Sequence, residues 1–283
     1  MAGAARMLVA LMGWLSRRSL ATVHRLGALL GAAAYWASPG YRRKIVANLS
    51  QAGLDAPRMR RAAARHAGML ATESAHVWLH PIDRIAAKVE VPDWSAVEQA
   101  RARNRGILFL TPHLGAFEVT ARRFAREAPI TVLYKPPRHA GLRALVERAR
   151  PHANLRTAPA TLSGVRALLK ALRRGEAVGI LPDQVPGEGE GAWAPFFGRP
   201  AFTMTLPERL ARATGCAVLL AAGERLPGRG WRLHFDALAE PPTPAVVNAA
   251  MERLVRRFPE QYLWSYNRYK RPAGAPSPEG VAR

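Results

Sequence analysis

Between residues 106 and 182 the chain alternates short, wholly apolar runs with longer stretches of helical periodicity. GILFLT (106–111), ITVLYK (130–135), a run near LRTAP (155–159) and AVGILP (177–182) have strand length and no polar alternation. Such runs are expected of strands buried on both faces. The segments between them predict helices over about 115–127, 141–150 and 161–175, the last closed by Gly175. Strand and helix in turn at this spacing predict an α/β fold with a largely parallel, mixed central sheet flanked by helices. Downstream, TMTLPERLARATG predicts a helix, CAVLLAAGERL and GWRLHFDAL two strands, and AVVNAAMERLVRRF a last amphipathic helix. Upstream, 41–80 is helical and ends at Pro81. KVEVPDW (88–94) predicts a short strand, and 95–104 a helix with Ser95 as N-cap and Glu98 closing a capping box. One stretch fits neither period. QVPGEGEGAWAPFFGRP (184–200) is rich in Gly and Pro and carries three aromatics, which predicts a long irregular loop, either a binding lid or a tolerated insertion. The tail from Pro272 to 283 is expected to be disordered.

Residues 1–40 hold two apolar stretches interrupted by Arg17-Arg18 and His24-Arg25. Neither reaches the ~20 apolar residues that span a bilayer. The pattern predicts a helical hairpin lying at a membrane surface, with Trp14, Tyr35 and Trp36 at headgroup level, or an amphipathic pair packed on the domain.

Charge sharpens this. The net charge is +22, and the first 66 residues contain eleven Lys/Arg against one acid, Asp55. Polyanionic partners follow: an anionic membrane, an acidic protein, a phosphorylated substrate or nucleic acid. The one cysteine, Cys216, excludes an intrachain disulfide and reads as a small core residue. The eight histidines are scattered without H-E-x-x-H, and no Walker or dinucleotide loop is present, so no metal or nucleotide cofactor is expected.

Ligands in open parallel sheets bind beyond the carboxyl ends of strands. His113, Lys135 and Asp183 all follow predicted strand ends. His113 and Glu118 suit general-base chemistry, because imidazole takes a proton near neutral pH and a carboxylate holds its other nitrogen. Five helical positions turn through about 500°, so the two meet only if His113 lies in the turn before the helix. From spacing alone, catalysis and packing are equally good readings. No G-x-S-x-G accompanies the pair, which favours direct transfer over a covalent acyl-enzyme.

His113-x4-Glu118 resembles the H-x4-D/E motif of the glycerolipid acyltransferase superfamily. Further blocks in order resemble the bacterial lipid A late acyltransferases: YRRKIVANL (41–49), LYKPPR (133–138), SGVRALLKALRRGE (163–176), LPDQ (181–184), APFFGRPAFTMTLPERLA (194–211) and PEQYLWSYNRYKRP (259–272). The resemblance implies an enzyme on the cytoplasmic face of the bacterial inner membrane. Such an enzyme moves a fatty acyl chain from acyl carrier protein to a hydroxyl of a lipid A precursor, without a cofactor. It implies a membrane-associated segment over 1–40 and a catalytic domain over 41–271. It assigns His113 as base, Glu118 as its partner, Arg150 (with Arg148 its near neighbour) as an assisting cation, and Asp183 as a further functional acid. Lys135, Arg138, Arg166 and Gln184 fall on its substrate-binding blocks. Phe196 and Phe197 fit the acyl path or the core equally. Lys135 stands where the family has Arg, and Tyr266-Asn267 where it has His-Arg, so another acceptor, a lysophospholipid or aminolipid, is the alternative. A basic nucleic-acid-binding protein is the distant one, with no recognition motif behind it.

Overall fold

The computed structural model describes residues 2–134 and 153–278. Its helices are α1 (Ala2–Ser16), α2 (Leu20–Ala37), α3 (Pro39–Gln51), α4 (Pro57–Leu79), α5 (Ile82–Ala86), α6 (Ser95–Ala102), α7 (Phe117–Ala125), α8 (Leu162–Arg173), α9 (Leu206–Thr214) and α10 (Pro244–Arg257). Its strands are β1 (Val89–Glu90), β2 (Ile107–Leu110), β3 (Ile130–Tyr134), β4 (Leu155–Pro159), β5 (Ala177–Ile180), β6 (Gly191–Phe196), β7 (Arg199–Met204), β8 (Ala217–Leu226) and β9 (Gly230–Ala237).

The main sheet runs β1-β9-β8-β2-β5-β3-β4. Neighbours are parallel except β8 and β9, which form an antiparallel pair. This is the expected mixed, mostly parallel sheet. β2 lies between β5 and β8, and its four residues are all buried. The pleat divides them: Leu108 and Leu110 join a core with Val178, Ile180 and Leu220 under α3, α8 and α10, while Ile107 and Phe109 face the core under α6 and α7. That two-sided demand is why the strand reads as an unbroken apolar run. Burying each such large side chain contributes about 1.5–3 kcal/mol. Cys216 lies in the first of these cores, as expected, and burial pushes its thiol up.

α2 packs on α4 with backbones in contact. A side chain at Gly31 would collide with Ala64 O, and one at Gly68 with Gly27 O. Outward, α2 exposes Leu29, Leu30 and Trp36, and α1 exposes Met7, Leu11 and Trp14. The pair is therefore both packed on the domain and apolar outside, while Tyr35 is buried rather than at the surface. No helix among the described residues is long and apolar enough to cross a membrane.

Two expectations need correction. The Gly/Pro-rich stretch 184–200 is not one irregular loop, because its second half forms the β6–β7 hairpin. Pro195 faces Pro200 across that ladder, where neither has an N–H to give. An isolated two-stranded ribbon tolerates this, since both strands are edges. The turn places Phe197 (φ 46°) and Gly198 (φ 73°) in the left-handed region, as a tight hairpin turn requires. Second, Ser95 is the first helical residue rather than the cap, and its N–H donates to Asp93 Oδ1 at 2.7 Å. Within the tail, Ala275 is buried, and Trp193 Nε1 donates to Pro276 O at 2.8 Å.

Candidate active site

β2 and β5 run parallel with Leu110 opposite Ile180, and Thr111 N–H donates to Ile180 O at 3.0 Å. His113 and Asp183 lie three residues beyond these partners. Equal offsets from a paired register bring them side by side. Asp183 is 2% exposed and accepts twice from one residue. The His113 backbone N–H donates to Oδ2 at 2.8 Å, and the ring Nδ1 lies 2.7 Å from Oδ1. Burial pushes the Asp183 carboxyl up, but the charge and hydrogen bonds of His113, with Arg268 beyond, hold it below the ordinary carboxylate range. An ionised carboxylate at Nδ1 fixes the tautomer with Nδ1 protonated, so Nε2 carries the lone pair. Gln184 Nε2 lies 3.1 Å from that atom.

The ring nitrogen opposite the lone pair thus faces Asp183, where spacing suggests Glu118. As expected, His113 lies in the turn before α7. Glu118, in the first turn of α7, accepts from Trp78 Nε1 at 2.6 Å. Phe117 packs its ring 4.9 Å from the imidazole. Of the other predicted residues, Lys135, Arg138 and Arg150 lie outside the described residues. Arg166 is exposed on α8 and does not line the cavity described below. Phe196 and Phe197 are buried in the core, edge to face with ring centroids 4.7 Å apart, and neither lines the cavity described below. Arg268 and Arg256 cover them.

The turn carrying His113 is held at almost every backbone group. His113 O accepts from Leu263 N–H, Gly115 N–H donates to Gln261 O, and Ala116 N–H donates to Gly223 O. Gly115 has φ 57°, and a Cβ there would strike Gly223 O, so only glycine fits. Gly115 O accepts from Arg225 Nη2 at 2.9 Å. Arg225 is itself buried and fork-bonded to Glu73 of α4 through Nε and Nη2. Glu73 also takes His24 Nε2 at 2.9 Å and Trp231 Nε1 at 3.1 Å. A buried ion pair thus ties α2, α4 and β8 to the turn.

His66 adjoins this pair, with Nδ1 3.3 Å from Arg225 Nη1. Burial and then the Arg225 charge push its ring down to about 4. A histidine whose folded value is depressed disfavours the native state as pH falls from 6.5, its ordinary value, to about 4. Melting temperature should drop across that window, and His66→Gln should flatten the drop, as scanning calorimetry would measure.

His113, Glu118 and Gln184 share the wall of a cavity of about 970 Å³. The rest of the wall is mostly apolar, including Ile130, Val132, Leu155, Val165 and Leu206. Three polar groups converging on a large apolar cleft are the usual form of a binding site. Trp78 and the buried Arg122 also line it. Sequence reading passed over both. Arg122 was legible in principle, because it follows Glu118 by four positions on one face of α7.

The sequence matches the family described as bacterial lipid A biosynthesis acyltransferase over residues 20–271. The chain belongs to that family. It is 31% identical over 222 residues to the lipid A biosynthesis lauroyltransferase of Escherichia coli (strain K12), covering 74% of this chain and 71% of the relative. It is 30% identical over 222 residues to the lipid A biosynthesis palmitoleoyltransferase of the same strain, covering 75% and 72%. A lipid A biosynthesis acyltransferase of Haemophilus influenzae is 25% identical over 178 residues, covering 59% and 55%. The protein is an acyltransferase. Several of its family-like blocks have structural work. Asn48 Nδ2 donates to Trp264 O and Tyr266 O, and Tyr266 OH accepts from Val185 N–H at 3.0 Å. Arg268 donates to Phe202 O and Thr203 Oγ1 beneath the hairpin. The C-terminal block therefore braces the segment that follows Asp183 and Gln184.

Proposed function

We propose that this acyltransferase moves a fatty acyl group from the thioester of acyl carrier protein to a hydroxyl of a lipid A precursor, with His113 as general base. The observation that carries the reading is the Asp183–His113 pair on the wall of a large apolar cavity. Nε2 of His113 takes the proton of the acceptor hydroxyl once Gln184 gives way. The oxygen attacks the thioester carbonyl, and an ester C–O bond forms. The C–S bond breaks, and the imidazolium returns its proton to the leaving thiolate. Asp183 holds the ring and stabilises the imidazolium, which is how a base becomes effective in the transition state. Glu118, anchored by Trp78, accepts a hydrogen bond from the acceptor. On sequence grounds we assign Arg150 to the developing oxyanion and Lys135, with Arg138, to substrate phosphates.

The apolar cavity wall suits an alkyl chain, and the +22 charge suits both an acidic carrier and a phosphorylated glycolipid. The apolar outer face of α1 and α2 supports attachment to the cytoplasmic face of the inner membrane. Mass spectrometry of membrane lipids from a deletion strain tests the acceptor. Lipid A short of one acyl chain is the expected result. Unchanged lipid A with an altered lysophospholipid or aminolipid would move the same chemistry to that acceptor.

A further inference from the structure

A second, smaller cavity of about 160 Å³ lies outside the catalytic cleft, where the α1–α2 turn meets the end of α4 and α5. We propose that it is a binding site for a phosphate group. Arg18, Arg84 and Lys88 line it together with His76 and His80, and no carboxylate does. None of the three cations has a carboxylate within ion-pair distance among the described residues. Like charges gathered without an acid repel, and a bound anion relieves that cost.

Two further features point to the same ligand. The cavity receives the N-terminus of α2, an 18-residue helix. The cap Ser19 accepts from Thr22 N–H, which leaves the N–H groups of Leu20 and Ala21, both at the cavity, without intrahelical acceptors. Amides at a helix start, in the positive end of its dipole, bind phosphate. Independently, His76 lines the cavity, is only 5% exposed, and its Nδ1 has no hydrogen-bond partner. Burial first, and then the neighbouring His80, Lys88 and Arg84, depress its ring to about 4. The volume holds a phosphate with some of its water, at ~30 Å³ per water molecule. Arg18 also lies 4.6 Å over the ring of the half-exposed Trp14, which puts the cavity beside the outer apolar face of α1. The phosphate can therefore belong to a lipid headgroup or be free in solution.

The test uses the full chain in nonionic detergent and two probes. One is inorganic phosphate against chloride at matched ionic strength. The other is phosphatidylcholine vesicles with and without phosphatidylglycerol. The variant Arg84→Gln/Lys88→Gln removes two exposed charges at the cavity, so it should melt as the wild type does in chloride. Arg173→Gln/Arg253→Gln removes the same charge from exposed positions on α8 and α10 and serves as control. The cavity variant should lose at least fivefold in affinity for one probe, while the control and the charge-keeping single variant Lys88→Arg keep wild-type affinity. Loss confined to phosphatidylglycerol vesicles identifies a lipid headgroup, and loss for inorganic phosphate identifies a soluble one. Equal affinities of variant and control for both probes overturn the proposal, as does failure of the wild type to bind either.

Discussion

Replacing His113 by alanine should lower the turnover of acyl transfer by about 10²–10⁴-fold, the usual range for losing a general base. His113→Gln is the cleaner variant, because its amide still gives Asp183 a donor and spares a buried carboxylate from losing its ring partner. Asp183→Asn should come close to the same loss for a different reason. An amide NH₂ at the Asp183 position turns Nδ1 into an acceptor and moves the ring proton to Nε2. The lone pair then faces away from substrate. Glu118→Gln keeps an acceptor for Trp78 and should cost less than tenfold, more in KM than in kcat, since it removes charge next to the acceptor rather than at the proton-transfer atom. The order of the three is the discriminating result, read from kcat and KM with acyl carrier protein thioester and lipid A precursor. A near-active Asp183→Asn beside a dead Glu118→Gln would return the ring to Glu118. The Asp183 carboxyl carries its own pH signature. Its folded value is depressed, so it contributes stability above the ordinary carboxylate range and loses it as pH falls through the depressed value. In His113→Ala that loss should be smaller, because the ring charge and ring hydrogen bond that hold the carboxyl down are gone while burial still raises it.

What the sequence made legible follows from period and punctuation. β2 and β5 were readable because a strand buried on both faces cannot hide a polar residue, and α8 because Thr161 and Gly175 bracket it. The hairpin at 191–204 was not, because Pro195 and Pro200 argue against a central strand and nothing local says that the ribbon stands apart from the main sheet. The site shows the same division. Strand ends pointed to His113 and Asp183 separately, but their contact is a property of register, Leu110 against Ile180, which no single strand carries. Reading Glu118 as the ring's partner rested on spacing and on the H-x4-D/E resemblance. Asp183, 70 positions away, meets the ring because parallel pairing puts the two turns level, and Glu118 on α7 accepts from Trp78 of α4. Phe196 and Phe197 fitted a lining or the core equally as long as their stretch read as a loop. Once the loop is a hairpin on α10, the same rings are core.

The largest effect on stability should come from the buried pair behind the turn. Arg225→Met or Glu73→Leu alone should cost about 3–5 kcal/mol, because each leaves the other charge buried and unpaired. The double variant Glu73→Leu/Arg225→Met should be less destabilised than the sum of the two, since no orphan charge remains. It will not return to wild type. Gly115 O, Trp231 Nε1 and His24 Nε2 all lose partners, at about 1–3 kcal/mol for each group left buried and unsatisfied. Denaturant titrations of the four proteins measure that cycle. Acid adds a second reading. Burial raises the Glu73 carboxyl, but Arg225 and His24 outweigh it and hold it at about 2. Its contribution is complete above about 4.5, its ordinary value, and is lost as pH falls from there toward 2, so the difference between wild type and double variant should shrink in that window. Transfer separates this pair from ordinary core packing. Once Gly115 O is released the His113 turn is free to shift, so kcat should stay depressed in the double variant even where stability recovers. Arg225→Lys, which keeps the charge but loses the fork to Glu73, should fall between. A double variant with wild-type kcat would mean that the pair only stabilises the fold, and that the contacts of Leu263, Gln261 and Gly223 hold the base in place without it.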